Sequence, residues 1–110
     1  MTIKKSKISY KIWIEYEGKP VLGKGGAKIL EQIEKEKSIS KAAEKLGMSY
    51  RYVWSYLKRI EKTLGEPVIE TYRGGKFGGG GAKLTKHGKK LLEDYKRAED
   101  YLAKALTRNF

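Results

Sequence analysis

The residues with most chemistry to offer are cationic or hydroxylic, and they fall in two clusters. Ser49, Tyr50, Arg51, Tyr52, Ser55, Lys58 and Arg59 crowd one short stretch, while Arg73, Lys76 and Lys83 punctuate a run of glycines. An arginine presents a planar fork of donors that matches a guanine edge or a phosphate, and a lysine supplies a point charge. Serine and tyrosine hydroxyls donate to phosphate oxygens or base edges. Bond-making chemistry is poorly provided for. The chain has no cysteine, which excludes disulfides, thiolate metal sites and cysteine nucleophiles together, and His87 is its single histidine. One histidine leaves little from which to build a zinc site or a catalytic triad. The glycine run does not end as a phosphate-binding P-loop does, because Lys83 lies between Ala82 and Leu84 rather than before a hydroxyl. No enzyme, metal or cofactor is expected.

The charge balance points the same way. Among 110 residues, 25 are Lys or Arg and 13 are Asp or Glu, for a net charge of +12. Residues 45–90 hold 11 basic and 3 acidic side chains, so +8 of that charge sits in fewer than half of the residues. A lysine-rich surface that serves solubility alone is the plainer explanation of a basic protein. The local concentration favours a face that binds a polyanion. Apolar runs reach only three or four residues, far short of the roughly 20 that cross a membrane. No signal peptide is expected either, and the reading is a cytoplasmic, nucleoid-associated protein of one domain. Abundant Lys and Glu, with one Gln and one Asn, lean towards a thermophilic composition.

The elements that must position these residues can be traced from periodicity. Residues 1–7 read as a flexible basic arm carrying Lys4, Lys5 and Lys7. Ile8, Tyr10, Ile12, Ile14 and Tyr16 alternate with Ser9, Lys11, Trp13, Glu15 and Glu17, the period-2 mark of a half-buried strand. Residues 18–26 read as a turn, and a helix follows over about 27–37 with Ile29, Leu30 and Ile33 on one face. Ile39, Ala42, Ala43 and Leu46 then recur at helical spacing after the caps Ser38 or Ser40, and Gly47 ends that helix. Ser49 caps a longer helix whose buried stripe is read as Val53, Trp54, Leu57, Ile60 and Leu64, stopped by Gly65 and Pro67. A small Ala43, a turn-forming Gly47 and a gap-filling Val53 mark a helix-turn-helix rather than a generic helical hairpin. Tyr56 is expected to complete the core.

Residues 68–72 and 82–84 read as two short strands joined by a glycine-rich basic tip, a wing. Thr85 opens a last helix that runs to about residue 107. Leu91, Tyr95, Ala98, Leu102 and Ala105 recur at spacings of 4, 3, 4 and 3 along it, a coiled-coil seam. Two uses are open to that seam, a second subunit or the chain's own domain, and the first is expected. The fold class is therefore mainly α with a small β-ribbon. It comprises an arm at 1–7, a winged helix-turn-helix DNA-binding domain at 8–84 and a dimerisation helix at 85–110.

This order of elements resembles the winged-helix domain of LysR-type regulators. The stretch Ser38-Ile-Ser-Lys-Ala-Ala-Glu-Lys-Leu-Gly-Met-Ser-Tyr-Arg-Tyr-Val-Trp54 is closer still to the molybdate-responsive regulator family, ModE. That family shows a serine-rich entry, paired alanines, Gly, Ser-Tyr-Lys and Trp in matching order. Gly74-Gly-Lys76, Gly78-Gly-Gly-Gly-Ala82, Leu84-Thr85 and Gly88 resemble its glycine tract and the helix entry that follows. Phe77 interrupts that tract. The chain also stops after its last helix, where family members often continue into molybdate-binding modules, so no molybdate site is expected here. The resemblance implies a homodimer that binds double-stranded DNA. Ser49, Tyr50, Arg51, Tyr52 and Ser55 would meet bases or phosphates in the major groove, Lys58 and Arg59 farther along would grip the backbone, and Arg73, Lys76 and Lys83 would meet the flanking backbone or a minor groove. Arg51, at the start of the helix, is the leading candidate for reading guanine. A sequence-tolerant architectural chromatin protein and a protein-interaction module are the alternatives. An RNA role is disfavoured, since no exposed aromatic sheet for stacking bases is apparent.

Overall fold

The structure, a computed structural model, describes residues 7–73 and 80–109. The expected arm at Lys4 and Lys5 and the wing tip with Lys76 and Phe77 therefore lie outside the described residues. Three helices carry the centre of the fold: α1 (Lys24–Glu36), α2 (Ile39–Leu46) and α3 (Tyr50–Leu64). Local signals bound them. Ser38 Oγ accepts the Lys41 N–H at 3.1 Å and Ser49 Oγ accepts the Tyr52 N–H at 3.0 Å, so α2 and α3 each begin at a hydroxyl cap. Gly47 closes α2 at φ 68°, a left-handed conformation that lets its N–H reach back to the helix, and Met48 N–H donates to Ala43 O at 2.9 Å. Three residues after that glycine, α3 begins. The tight turn places α2 against α3, and the helix-turn-helix forms as its spacing predicts.

The wing is an antiparallel pair, β3 (Ile69–Tyr72) and β4 (Gly81–Leu84), in the register Ile69↔Leu84, Glu70↔Lys83, Thr71↔Ala82 and Tyr72↔Gly81. Ala82 and Leu84 turn inward while Lys83 stays in solvent, as the pleat requires. Ala82 N–H also donates to Lys37 O at 3.0 Å, joining the wing to the end of α1. Thr85 then makes the corner. Its Oγ1 donates to Pro67 O at 2.7 Å and accepts the Gly88 N–H at 3.1 Å, which starts α4 (Lys86–Asn109) against the root of β3. Gly88 permits the close approach, because a Cβ there would run into Val68 O.

One core serves all these elements. Ile29, Leu30 and Ile33 of α1 meet Ala42 and Ala43 of α2, Val53, Leu57 and Ile60 of α3, and Val68, Ala82 and Leu84 of the wing. Burying each of the larger aliphatic side chains contributes roughly 1.5–3 kcal/mol. Leu91, Leu92 and Tyr95 bring the first half of α4 onto this same core.

Three expectations change. The long first strand is only β1 (Ile14–Tyr16), paired with β2 (Lys19–Leu22) inside the segment read as a turn. Its partner is four residues long and the register slips at Ile14/Glu15, so no described strand pairs with residues 8–13, and Ile8 is 52% exposed. Glu17 and Gly18, at φ 50° and 79°, make the two-residue hairpin turn whose backbone twist suits its strands. The first helix begins three residues earlier than read, at Lys24, and includes Gly25 and Gly26. Trp54 lies off the buried stripe and is 38% exposed.

Candidate nucleic-acid interface

The outward face of α3 follows from its inward one. Val53, Leu57 and Ile60 are buried, and at 100° per residue the opposite side is centred on Ser55, with Arg51, Lys62, Lys58 and Arg59 around it. All five are exposed. Arg51, Ser55 and Lys62 make no side-chain hydrogen bond or ion pair with any described residue. Their donors thus point to solvent along one stripe of the helix. Lys62 was missed from sequence, although its spacing of eleven residues from Arg51, three turns, was the available signal.

The two flanks of this stripe are aromatic. On the wing side, Tyr50 and Trp54 stack with ring centroids 6.4 Å apart and planes 8° from parallel. Lys58 Nζ sits 4.3 Å from the Trp54 ring centroid and 3.2 Å from Glu61 Oε1. Lys58 is therefore held by two neighbours, unlike Arg51. On the other flank Tyr52 leans on Tyr56 at 6.3 Å and 44°, and the Arg59 guanidinium lies 5.2 Å from the Tyr56 ring centroid. Tyr56 is half-buried as expected, in a notch left by Gly26, where a Cβ would meet Leu22 Cδ1 at 2.7 Å and collide with the tyrosine hydroxyl. Burial pushes the Tyr56 hydroxyl pKa up, partly opposed by the nearby Arg59 charge.

The wing is fastened to α3 by one carboxylate. Glu61 Oε2 accepts the N–H groups of Val68 at 2.8 Å and Ile69 at 3.2 Å, at the start of β3. Sequence reasoning missed Glu61, whose partners are backbone groups seven and eight residues away. Between helix and wing runs a groove of about 270 Å³, bordered by Ser38, Ser40, Tyr50, Thr71, Tyr72 and Gly81. Arg73 is exposed, whereas Lys83 faces Glu70 across the strands with Nζ 3.3 Å from Oε2. Lys83 thereby has an ionic partner within the wing, a surface pairing worth about 0–1 kcal/mol.

The residues of the predicted seam on α4 divide into two groups. Leu91 and Tyr95 are buried in the chain's own core, so that part of the seam packs on its own domain rather than standing free for a partner. Burial, with Glu99 beside it, pushes the Tyr95 hydroxyl pKa up. Ala98 is exposed and Leu102 and Ala105 are half-buried, beyond the core. Ala98 and Leu102 share an open, largely apolar groove of about 580 Å³ with Ile12 and Tyr101, the latter 76% exposed. Lys96 Nζ lies 2.6 Å from Glu31 Oε2, tying α4 to α1 just before the part of α4 that extends beyond the core. The Lys96 ammonium holds the Glu31 carboxyl below its usual pKa, and the Lys96 pKa rises in return. Among the described residues no group of three His, Cys, Asp or Glu could hold a metal ion, and no helix is long and apolar enough to cross a membrane.

Residues 26–89 match the family model for bacterial regulatory helix-turn-helix proteins of the lysR family. The chain is similar to the molybdenum-pterin-binding protein MopB of Rhodobacter capsulatus, 39% identical over 79 residues that cover 72% of this chain and 29% of that one. It is also similar to the transcriptional regulator ModE of Yersinia pestis, 39% identical over 67 residues, 61% of this chain and 25% of that protein. The chain thus spans less than a third of the length of these relatives. Among solved structures, the CbnR DNA-binding domain in complex with DNA aligns with a TM-score of 0.56 at 23% identity, covering 76% of this chain and 88% of that one. At that identity the likeness shows the fold, a winged helix-turn-helix. Oxidised OxyR of Corynebacterium glutamicum aligns with a TM-score of 0.53 at 26% identity, covering 76% of this chain and 25% of that one.

Proposed function

Because the chain belongs to the lysR family of bacterial regulatory helix-turn-helix proteins, we propose that it is a sequence-specific regulator of transcription that binds double-stranded DNA as a homodimer. The observation that carries this reading is the stripe of Arg51, Ser55 and Lys62, whose polar groups are exposed and unengaged along the outward face of α3. A major groove about 12 Å wide accepts one helix, and the guanidinium of Arg51 suits a guanine O6/N7 edge. Ser49, Tyr50, Tyr52 and Ser55 touch bases or phosphate oxygens near it. Lys58 and Arg59, farther along and held by aromatic neighbours, serve the backbone. Arg73, Lys76 and Lys83 of the wing meet flanking phosphates.

Dimerisation falls to the part of α4 beyond the core, through Ala98, Leu102 and Ala105. A twofold dimer would present its two α3 helices to half-sites about 34–36 Å apart or a multiple of that. The site of action is the nucleoid in the cytoplasm. Selection of bound fragments from the source genome, followed by footprinting, tests the reading. It predicts a recurring, two-part protected sequence. Recovery of fragments without a common sequence would instead favour the architectural alternative.

A further inference from the structure

Trp54 has no structural task that accounts for its size. It stands outside the buried stripe of α3, leaves 38% of its surface in solvent and borders the cationic face rather than the core. Its ring is nonetheless fixed, parallel to Tyr50 within 8° on one turn and under the Lys58 ammonium at 4.3 Å on the next. Lys58 is itself anchored by Glu61, which in turn caps the wing's first N–H groups. Tyr50 is 51% exposed, so the two rings form a firm apolar wall along one side of the Arg51 stripe. An exposed apolar wall beside the polar groups proposed to meet base edges suits an apolar counterpart. On the major-groove edges of the four bases the one apolar group is the C5-methyl of thymine.

We infer that Trp54, positioned by its stack with Tyr50 and by Lys58, is a specificity-determining residue that packs on a thymine C5-methyl group in the major groove. The inference rests on the DNA-binding reading above and adds a base to it: a thymine next to the base pair met by Arg51. Tyr50 extends the wall, and a ring already oriented by its neighbours has less side-chain freedom to lose when the contact forms.

The test replaces each thymine of a selected site by deoxyuridine, one position at a time, and measures affinity for the wild-type protein. Deoxyuridine keeps the hydrogen-bonding groups and removes only the methyl. One position per half-site should weaken binding roughly fourfold, the equivalent of one buried methylene. Trp54→Ala should bind the thymine and deoxyuridine duplexes alike, and Trp54→Phe should retain the difference. Wild-type affinity unchanged at every deoxyuridine position would overturn the inference while leaving sequence-specific binding in place. A methyl effect that persists undiminished in Trp54→Ala would overturn it too, by moving the contact to another side chain. Absence of binding to any duplex, even at low salt, would remove the DNA-binding reading itself.

Discussion

Glu61 Oε2 accepts the backbone N–H of Val68 at 2.8 Å, which ties α3 to the root of the wing. The same oxygen takes the Ile69 N–H at 3.2 Å, and the other carboxylate oxygen faces Lys58. Replacing Glu61 by Ala leaves two partly buried donors without that acceptor, at a cost of about 1–3 kcal/mol. Urea unfolding should show that loss. Affinity for a selected duplex should fall further than for a fragment that reaches α3 alone, since the wing loses its seat. Unaltered stability in Glu61→Ala would show that water or another group satisfies these N–H groups equally well.

The two halves of α4 should respond differently to the same insult. Leu91 is buried in the core, so Leu91→Asp places an unpaired charge there and should unfold the protein. Leu102 lies beyond the core in the open groove with Tyr101, so Leu102→Asp should leave the circular dichroism unchanged and split the dimer. Sedimentation at micromolar concentration reads the second effect. A wild-type protein that sediments as a monomer there would remove the dimer from the account.

The Glu31–Lys96 pair gives α4 a pH-dependent tie to α1. The carboxyl pKa of Glu31 is lowered in the folded state, first by its hydrogen bond to Lys96, so its contribution is present at neutral pH and lost as pH falls through the lowered value. The Lys96 pKa is raised, so its contribution is complete below the ordinary lysine value and lost as pH rises through the raised one. The tie is therefore whole across the neutral range. Lys96→Met should flatten the acid limb of a stability–pH curve relative to wild type, and should do so less at high salt because both groups reach solvent. An acid limb identical in the two proteins would assign it to other carboxylates.

Arg51 and Lys76 should fail in different ways. Arg51→Ala should cost roughly 1–3 kcal/mol against one base pair and relax the preference there. Lys76→Ala should weaken binding evenly across sequences and lower the salt slope by about one. Titrations on the selected site and its single-base variants, at several salt concentrations, separate the two. Uniform weakening by Arg51→Ala would reassign that residue to the phosphate backbone.

Much of this arrangement is legible in the sequence because its causes are local. Ser38, Gly47 and Ser49 act on residues within a turn of themselves, and their helices begin and end where those residue types predict. What depends on a distant partner is not legible. The alternation of Ile8 to Tyr16 is genuine, but a strand extends only as far as its neighbour does, and β2 is four residues long. Trp54 follows Val53 and precedes Leu57 by three, yet α3 buries a stripe too narrow to include it. The spacing of Leu91, Tyr95, Ala98 and Leu102 describes an apolar seam without saying what covers it, and the core claims its first half. Glu61 reads as a solvated helix residue until the path of the chain after Pro67 brings two bare N–H groups to it.

The central claim is that the exposed stripe of α3 chooses a sequence rather than merely attracting DNA. The most direct measurement is the ratio of affinities for a genome-selected duplex and a random duplex of equal length, at one physiological salt concentration. The account predicts a ratio of about 10³ or more. A ratio near one, with strong and salt-sensitive binding to both, would contradict it.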